Sequence, residues 1–337
     1  MNEMVPRLSL CIATRNRAGF IGNTLDGILA CPSPDIEVVV VDGASSDGTA
    51  EEVAVRAARD PRLRLVRLTG NGGVDRDYDR AVQEATGRHC WLMTDDDALE
   101  PGAIEIVLEA CGRGHQLVVI DALVCGPDLQ EVLNPNRLAF TGERSYPPGD
   151  PRLLADLGSH LTFIGAVIIA REVWLARARE PYYGSLFIHV GVIFQAPLSG
   201  SALAIGRPLI RIRYGLGGWV PRRFEVWMFL WPGLIWSFTA FSTEIRGIVC
   251  AAEPWRRISL LAAFRAKGAY GLAEYRQFLK PRMGWVRRLP HLLVALMPGL
   301  LLNLVALTVA HLRRQADQSG LIDLRASRFH WRRWGGT

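Results

Sequence analysis

Residues 87–99 read GRHCWLMTDDDAL: a short run of large apolar side chains that ends in three consecutive carboxylates. Residues 81–85 before it have helical character, so 89–93 is predicted as a buried strand with Asp95, Asp96 and Asp97 leaving its carboxyl end. In open α/β sheets ligands sit in the crevice outside the carboxyl ends of the strands. Three adjacent acids there repel one another unless a cation or solvent compensates. Hard oxygen ligands suit Mg2+ or Mn2+, which keep substrate phosphate oxygens in the same shell. The alternative is a solvated acidic turn capping the helix that follows.

The 337 residues suffice for one large domain or a domain with an appendage. With 49% apolar and 21% charged residues the chain is globular. A mean hydropathy of +0.13 raises the question of a membrane. The net charge is +6, and Lys267 and Lys280 are the only lysines, so arginine supplies nearly all of the basic charge. Bases crowd the second half, at Arg211, Arg213, Arg222, Arg223, Arg256, Arg257, Arg287, Arg288, Arg313, Arg314, Arg332 and Arg333. That asymmetry suits phosphate or anionic lipid, and no recognised nucleic-acid motif accompanies it. The six cysteines have no CxxC spacing, which points to reduced, mostly buried thiols of a cytoplasmic protein rather than zinc or disulfides. The N-terminus has no apolar core of signal-peptide length, so the first domain is expected to remain in the cytoplasm.

Outward from the acidic stretch, residues 8–13 are β-prone and break into Thr14-Arg15-Asn16-Arg17 before a helical pattern at Ile21, Leu25, Ile28 and Leu29. Residues 36–41 are a continuous β-branched run, the mark of a strand covered on both faces, and end in Asp42-Gly43-Ala44-Ser45-Ser46-Asp47. A helix over 51–58, a strand over 63–68, a Gly-Asn-Gly-Gly turn and a helix over 78–85 follow. Alternating βα units of this length imply a mostly parallel, doubly wound, Rossmann-like sheet flanked by helices. The polar ends of three strands can then converge on one rim.

Four stretches in order, CIATRNRAGFIGNTLDGI (11–28), EVVVVDGASSDGT (37–49), NGGVDRDYDRAVQEATG (71–87) and WLMTDDDAL (91–99), resemble the family 2 glycosyltransferases of the GT-A fold. The likeness is to the abequosyltransferase-like branch that modifies bacterial surface polysaccharides, and it covers about residues 8 to 100. It implies donor-binding roles for Thr14, Asn16, Arg17, Asp42 and Asp47. Asp42 would accept from the base and Arg17 would face phosphate. The family's Asn-x-Gly turn falls on Asn71 and Gly73 and its later Asn on Asp79, which with Asp95 complete the donor-binding set that the resemblance implies; a family Ala falls on Asp77. The first position of the family's Asp-x-Asp is Thr94, which leaves Asp96 as the best metal ligand, with Asp95 and Asp97 beside it.

Beyond residue 99 the patterns predict a helix over 103–110, a strand over 116–124, and an excursion over 128–151 that covers the acceptor site. A strand over 161–170 and an amphipathic segment over 172–179 follow. By resemblance Ser159, His160 and Phe163 are acceptor-binding candidates. Relatives place an acidic pair near residues 182–189, where this chain offers His189. That residue is read as the catalytic base or a third metal ligand beside Asp96 and Asp97, or else as a core histidine, in which case Asp156 or the aspartates of 75–79 come into question.

Residues 224–241 carry three of the ten tryptophans, and 289–312 are apolar over a bilayer's length with Arg287-Arg288 before and Arg313-Arg314 after. Pro298, Gly299 and Asn303 interrupt the run, so a partly embedded or surface-lying helix pair is expected rather than a span, with a buried core helix as the alternative. Arg256, Arg257, Arg265 and Lys267 are candidates for headgroup contact.

The expected organisation is a GT-A domain over 1–215, divided into a nucleotide-binding half (1–100) and an acceptor half (101–215), then a helical, membrane-associated region over 216–337. The expected function is an inverting, metal-dependent transfer of sugar from a nucleotide-sugar to a saccharide acceptor, lipid-linked, at the cytoplasmic face of the cell membrane. A catalytically degenerate GT-A protein acting as a membrane-bound partner is the alternative. A pyrophosphorylase is disfavoured, because the first strand is followed by TRNR and not by a Gly-rich loop with lysine.

Overall fold

The computed structural model describes residues 5–218, 220–312 and 318–331; Arg313, Arg314, Arg332 and Arg333 lie outside the described residues. The chain forms two compact units. One contains the residues through Arg213 together with Phe238–Val249, and the other Tyr214–Ser237 together with the residues from Cys250 onward.

The first unit is built on a ten-stranded sheet. Strands β1 (Leu8–Thr14), β2 (Ile36–Asp42), β3 (Leu63–Arg67) and β4 (His89–Met93) alternate with helices α1 (Ile21–Leu29), α2 (Thr49–Ala57) and α3 (Val74–Glu84). All seven residues of β1 are buried, as are Val38 to Val41 of β2. At about 1.5–3 kcal/mol for each fully buried aliphatic side chain, these two strands can only be central. They pair in parallel with each other, β1 with β4 and β2 with β3.

After β5 (Ala98–Leu99) and α4 (Ala103–Gly112) come β6 (Leu117–Cys125), β7 (Val132–Asn134), β8 (Glu143–Tyr146), α5 (Arg152–Leu157), β9 (Val167–Ala170), α6 (Arg171–Ala176), α7 (Ile188–Phe194) and β10 (Ala202–Arg213). The sheet order is β3-β2-β1-β4-β9-β6-β10-β5, with β7 on β6 and β8 on β10. This half is mixed and not mostly parallel: β9 runs antiparallel to both β4 and β6, and β10 is parallel to β6 but antiparallel to β5 and β8. The strand predicted over 161–170 is shorter than expected. Residues 160–166 form 3-10 turns, where Gly165 passes so close to the Phe163 ring that a Cβ would lie 2.4 Å from it. All six cysteines are unpaired, five of them buried.

The second unit is helical. Phe224, Met228, Trp255, Leu261, Tyr270 and Leu279 belong to its core, with Phe224 stacked on Tyr270 at 5.0 Å between centroids. The aromatic-rich segment from 224 therefore supplies core side chains. Among the described residues no single helix is long and apolar enough to cross a membrane, although Trp285–Leu296 and Gly299–Leu312, bent by 81°, pass that test together.

Candidate donor site

Thr14 pairs with Asp42 across β1 and β2, and Ile12 with Met93 across β1 and β4, so the loops after β1, β2 and β4 leave the sheet side by side. Local bonds sew the first two loops together. Asn16 adopts a left-handed φ of 53°, its Oδ1 accepts from the Ser46 N–H at 2.9 Å, and its own N–H donates to Ser45 Oγ at 2.9 Å. Asp47 accepts from the Ala18 N–H at 3.2 Å and from the Thr49 N–H at 3.1 Å. Asn16 and Asp47 thus position the loops. Asp42 is buried and receives the Ser45 N–H and hydroxyl. Asn71 Oδ1 accepts from the Gly73 N–H at 3.0 Å, and Gly73 enters α3 at φ 90°, ψ 153°, a conformation that a side chain would strain.

The acidic triplet divides by role. Asp97 is buried, receives the Thr94 hydroxyl and accepts from the Arg213 N–H at 2.7 Å, which joins the end of β10 to the loop after β4. Burial, then the charge of Asp96, pushes its pKa up to about 8 against those two hydrogen bonds. Asp95 and Asp96 are each 13% exposed and face Arg17, Nε at 3.6 Å from Asp95 and Nη2 at 3.9 Å from Asp96. Burial, then Asp96, raises Asp95 to about 7 against Arg17, and burial raises Asp96 against Arg17 and Arg213. Thr24 Oγ1 donates to the carbonyls of Asp97 (2.9 Å) and Asp95 (3.3 Å), and the Tyr78 hydroxyl donates to the Met93 carbonyl (2.9 Å), so helices on either side hold the turn.

Arg213 is the residue that sequence reasoning did not place here. Its Nε donates to the Asp96 carbonyl at 2.9 Å, and its guanidinium lies 5.1 Å from the Phe20 ring, which Arg17 approaches at 5.8 Å. The signal was the alternation Arg211-Ile212-Arg213: period two puts both arginines on one face of β10, where Arg211 takes Glu100 and Arg213 reaches the acidic turn.

Several expected site residues are used otherwise. Helix α7 is buried at every position, so His189 enters the core with it. Its Nε2 lies 2.8 Å from the Leu161 carbonyl and must donate, since a carbonyl only accepts. Burial lowers its pKa to about 4. His189 is therefore corrected from base and metal ligand to core histidine. His160 is likewise buried against the Ile120 carbonyl at 2.8 Å, with burial lowering it to about 3, and Phe163 is buried, which removes both from an acceptor surface.

The backbone over 184–188 is held by an acid of α3: buried Asp75 accepts from the N–H groups of Gly184, Leu186 and Ile188 at 2.8, 2.9 and 3.1 Å. Asp79, expected at the donor, is enclosed by Trp174 Nε1 (2.9 Å), Arg179 (3.0 Å), Gln83 (2.9 Å) and the Tyr183 hydroxyl. Asp156 pairs with Arg144 at 2.8 Å and receives the Tyr146 hydroxyl at 3.0 Å. Asp77 is different: it is buried against Gly43 and one oxygen has no hydrogen-bond partner. Burial and the neighbouring Asp42 raise it to about 6 against Arg15.

Among the described residues no group of three or more His, Cys, Asp or Glu side chains is arranged to hold a metal ion, so the set Asp96, Asp97 and His189 does not form. Asp95 and Asp96 remain as two neighbouring carboxylates on the rim, the hard oxygen donors that such a cation takes. That is the protein's share in sites where Mg2+ or Mn2+ is completed by waters and substrate phosphates.

Residues 9–174 match the family described as glycosyl transferase family 2. Over those residues the chain is similar to the family 2 glycosyltransferases. An abequosyltransferase of Salmonella typhimurium, RfbV, is 29% identical over 223 residues, which are 61% of this chain and 66% of the relative. The succinoglycan biosynthesis protein ExoO of Rhizobium meliloti is 31% identical over 36% of this chain and 34% of its own length. The chain thus spans less than two thirds of the length of these curated relatives. Among solved structures, S. aureus TarS in complex with UDP-GlcNAc superposes with a TM-score of 0.57 at 16% identity, over 97% of this chain and 92% of that one. A mannosyltransferase from Pyrobaculum calidifontis, in complex with GDP-Man and Mn2+, gives 0.51 at 20% identity over 88% of each chain. Both likenesses show a GT-A-like fold.

The burial of His189 has a measurable consequence. Its folded pKa lies below the unfolded value of about 6.5, so its stabilisation is complete above pH 6.5 and is lost as pH falls toward 4, by about 3 kcal/mol. His189→Leu is expected to flatten that part of the stability–pH curve in urea unfolding while transfer activity persists. Loss of activity in a folded variant would return His189 to the chemistry.

Proposed function

We propose that this chain transfers a sugar, with inversion, from a nucleotide-sugar to a saccharide acceptor in bacterial surface polysaccharide synthesis, with Mg2+ or Mn2+ as cofactor. The observation that carries the reading is the convergence of the loops after β1, β2 and β4 on one rim, with Asp95 and Asp96 the more exposed pair of the acidic triplet. Arg17 and Arg213 supply fixed positive charge beside these acids, suited to a diphosphate. Asp42 and Asp77 lie at the nucleoside end. A divalent cation on Asp95 and Asp96 would neutralise the leaving diphosphate. The names of the relatives, an abequosyltransferase and a succinoglycan biosynthesis protein, support a polysaccharide acceptor; the neighbours' complexes with UDP-GlcNAc and with GDP-Man support a nucleotide-sugar donor. The exposed apolar residues of the second unit, among them Trp285, Leu289 and Leu301, support a lipid-linked acceptor at the cytoplasmic face of the membrane.

Isothermal titration with UDP, GDP, CDP and dTDP, with Mn2+ and with EDTA, tests the donor site. Metal-dependent binding of one nucleotide is expected, and no binding to folded protein would overturn the assignment. The degenerate-partner reading is favoured by one observation, the guanidinium of Arg17 already standing against Asp95 and Asp96.

The two readings differ in pH behaviour. Asp95 and Asp97 have folded pKa values raised to about 7 and 8, so the stability they contribute is present below the unfolded value of about 4 and is lost as pH rises through 7 and 8. A bound cation reverses that loss by favouring the ionised carboxylates. Mn2+ is expected to raise the Tm by more at pH 8 than at pH 6 in differential scanning fluorimetry, and an equal or absent shift would favour the degenerate protein.

A further inference from the structure

Among its described residues the second unit leaves an extended apolar surface exposed. Let α8 denote Thr243–Val249, α9 Ile258–Ala266, α10 Trp285–Leu296 and α11 Gly299–Leu312. Helix α10 is two-faced: His291, Val294 and Ala295 point inward and are buried, while Trp285, Leu289, Leu293 and Leu296, spaced at helical intervals, are 82%, 58%, 52% and 58% exposed. The chain then bends by 81° into α11, which is apolar on every side. In α11 only Gly299 and Asn303 are buried, and Leu301, Val305 and Leu312 are 59%, 60% and 79% exposed.

Those two buried residues are among the three that interrupt the apolar run in the sequence, and each is an attachment point. A Cβ on Gly299 would lie 2.4 Å from the Phe329 ring, so glycine permits the close approach. Asn303 Nδ2 donates to the carbonyls of Ala266, at the end of α9, and of Leu324, at 3.0 and 2.9 Å. The helix is thus pinned to its unit by one edge, and its leucines and valines are left outward. Soluble monomers rarely expose apolar patches beyond a few hundred Å2.

Charge names the occupant. Residues 275–316 contain no Asp or Glu but seven basic residues, of which Arg276, Lys280, Arg282 and Arg287 are exposed on the described part. A second copy docked through this face would set these bases against one another, with no Asp or Glu of residues 275–316 to offset them. An anionic bilayer offers acyl chains to the leucines and phosphates to the guanidiniums. We propose that the α10–α11 elbow is an interfacial anchor that lies in the surface of an anionic phospholipid leaflet without crossing it. This deepens the membrane part of the functional reading, yet it rests on the second unit alone and stands apart from the donor site.

The test is flotation of the full chain with phosphatidylcholine vesicles and with mixed phosphatidylcholine–phosphatidylglycerol vesicles. Flotation with the mixed vesicles is expected, reduced by high salt and weak with phosphatidylcholine alone. The double variant Leu289→Gln/Leu293→Gln alters only exposed positions, so its unfolding midpoint should be unchanged while its vesicle affinity falls at least about tenfold. No partition into anionic vesicles, or partition that the folded variant retains, overturns the anchor. A concentration-dependent dimer lost in the same variant assigns the face to a second copy instead. Donor-nucleotide binding is measured separately, so either reading can fail without the other.

Discussion

Asp96→Ala is expected to lower kcat by about a hundred- to a thousandfold and to abolish metal-dependent nucleotide binding, without lowering the Tm of the metal-free protein. The first part follows from placement: Asp96 stands beside Asp95 at the rim where the ends of β1, β2 and β4 meet. The second part is the more discriminating. The charge of Asp96 is among the causes that push Asp95 and Asp97 up, so its removal relieves repulsion in a crowded acidic turn. Asp97→Ala should behave differently. Its carboxylate holds the Thr94 hydroxyl and the Arg213 N–H, and its loss leaves those groups unpaired in the interior and lowers the Tm as well as the rate. Parallel unfolding and steady-state measurements on the two variants separate a ligand from a brace. Equal destabilisation by both would show that Asp96 too is a structural acid.

Asp79→Ala is expected to destabilise the first unit by about 3 kcal/mol or more and to leave donor affinity unchanged in the folded fraction. Its buried carboxylate serves Trp174, Arg179, Gln83 and Tyr183 together, and deletion removes the counter-charge of Arg179 and leaves an indole N–H and a phenol without their acceptor at once. Asp79→Asn should recover part of the loss, because an amide oxygen still accepts from Trp174 but the charge that balances Arg179 is gone. Urea unfolding of both variants gives the ranking. A fall in nucleotide affinity at full stability would instead return Asp79 to the donor site.

These two carboxylates illustrate how far the chain could be read in advance. Asp95, Asp96 and Asp97 are adjacent and end an apolar strand, so their place on the rim followed from period and spacing alone. Their division of labour did not, because it depends on Arg213, more than a hundred residues away on β10. Asp79 occupies a position where the resembled family has Asn. Its structural role became visible only with α6 and the turns before α7 packed against it.

The parallel half of the sheet, with its three polar strand ends, was determined by the sequence itself. Continuous β-branched strands, helical periodicity and Gly-Asn turns are local signals, and right-handed βα crossovers leave little choice of topology. The mixed half, the fate of His189 and the uncovered elbow were decided only by tertiary structure. A histidine in an apolar helix reads the same whether that helix lines a cleft or fills a core, and an apolar helix reads the same whether it faces protein or lipid. What distinguishes them is which side is pinned. For His189 that is the Leu161 carbonyl, and for α11 it is Gly299 and Asn303, contacts between segments distant in sequence that no local pattern encodes.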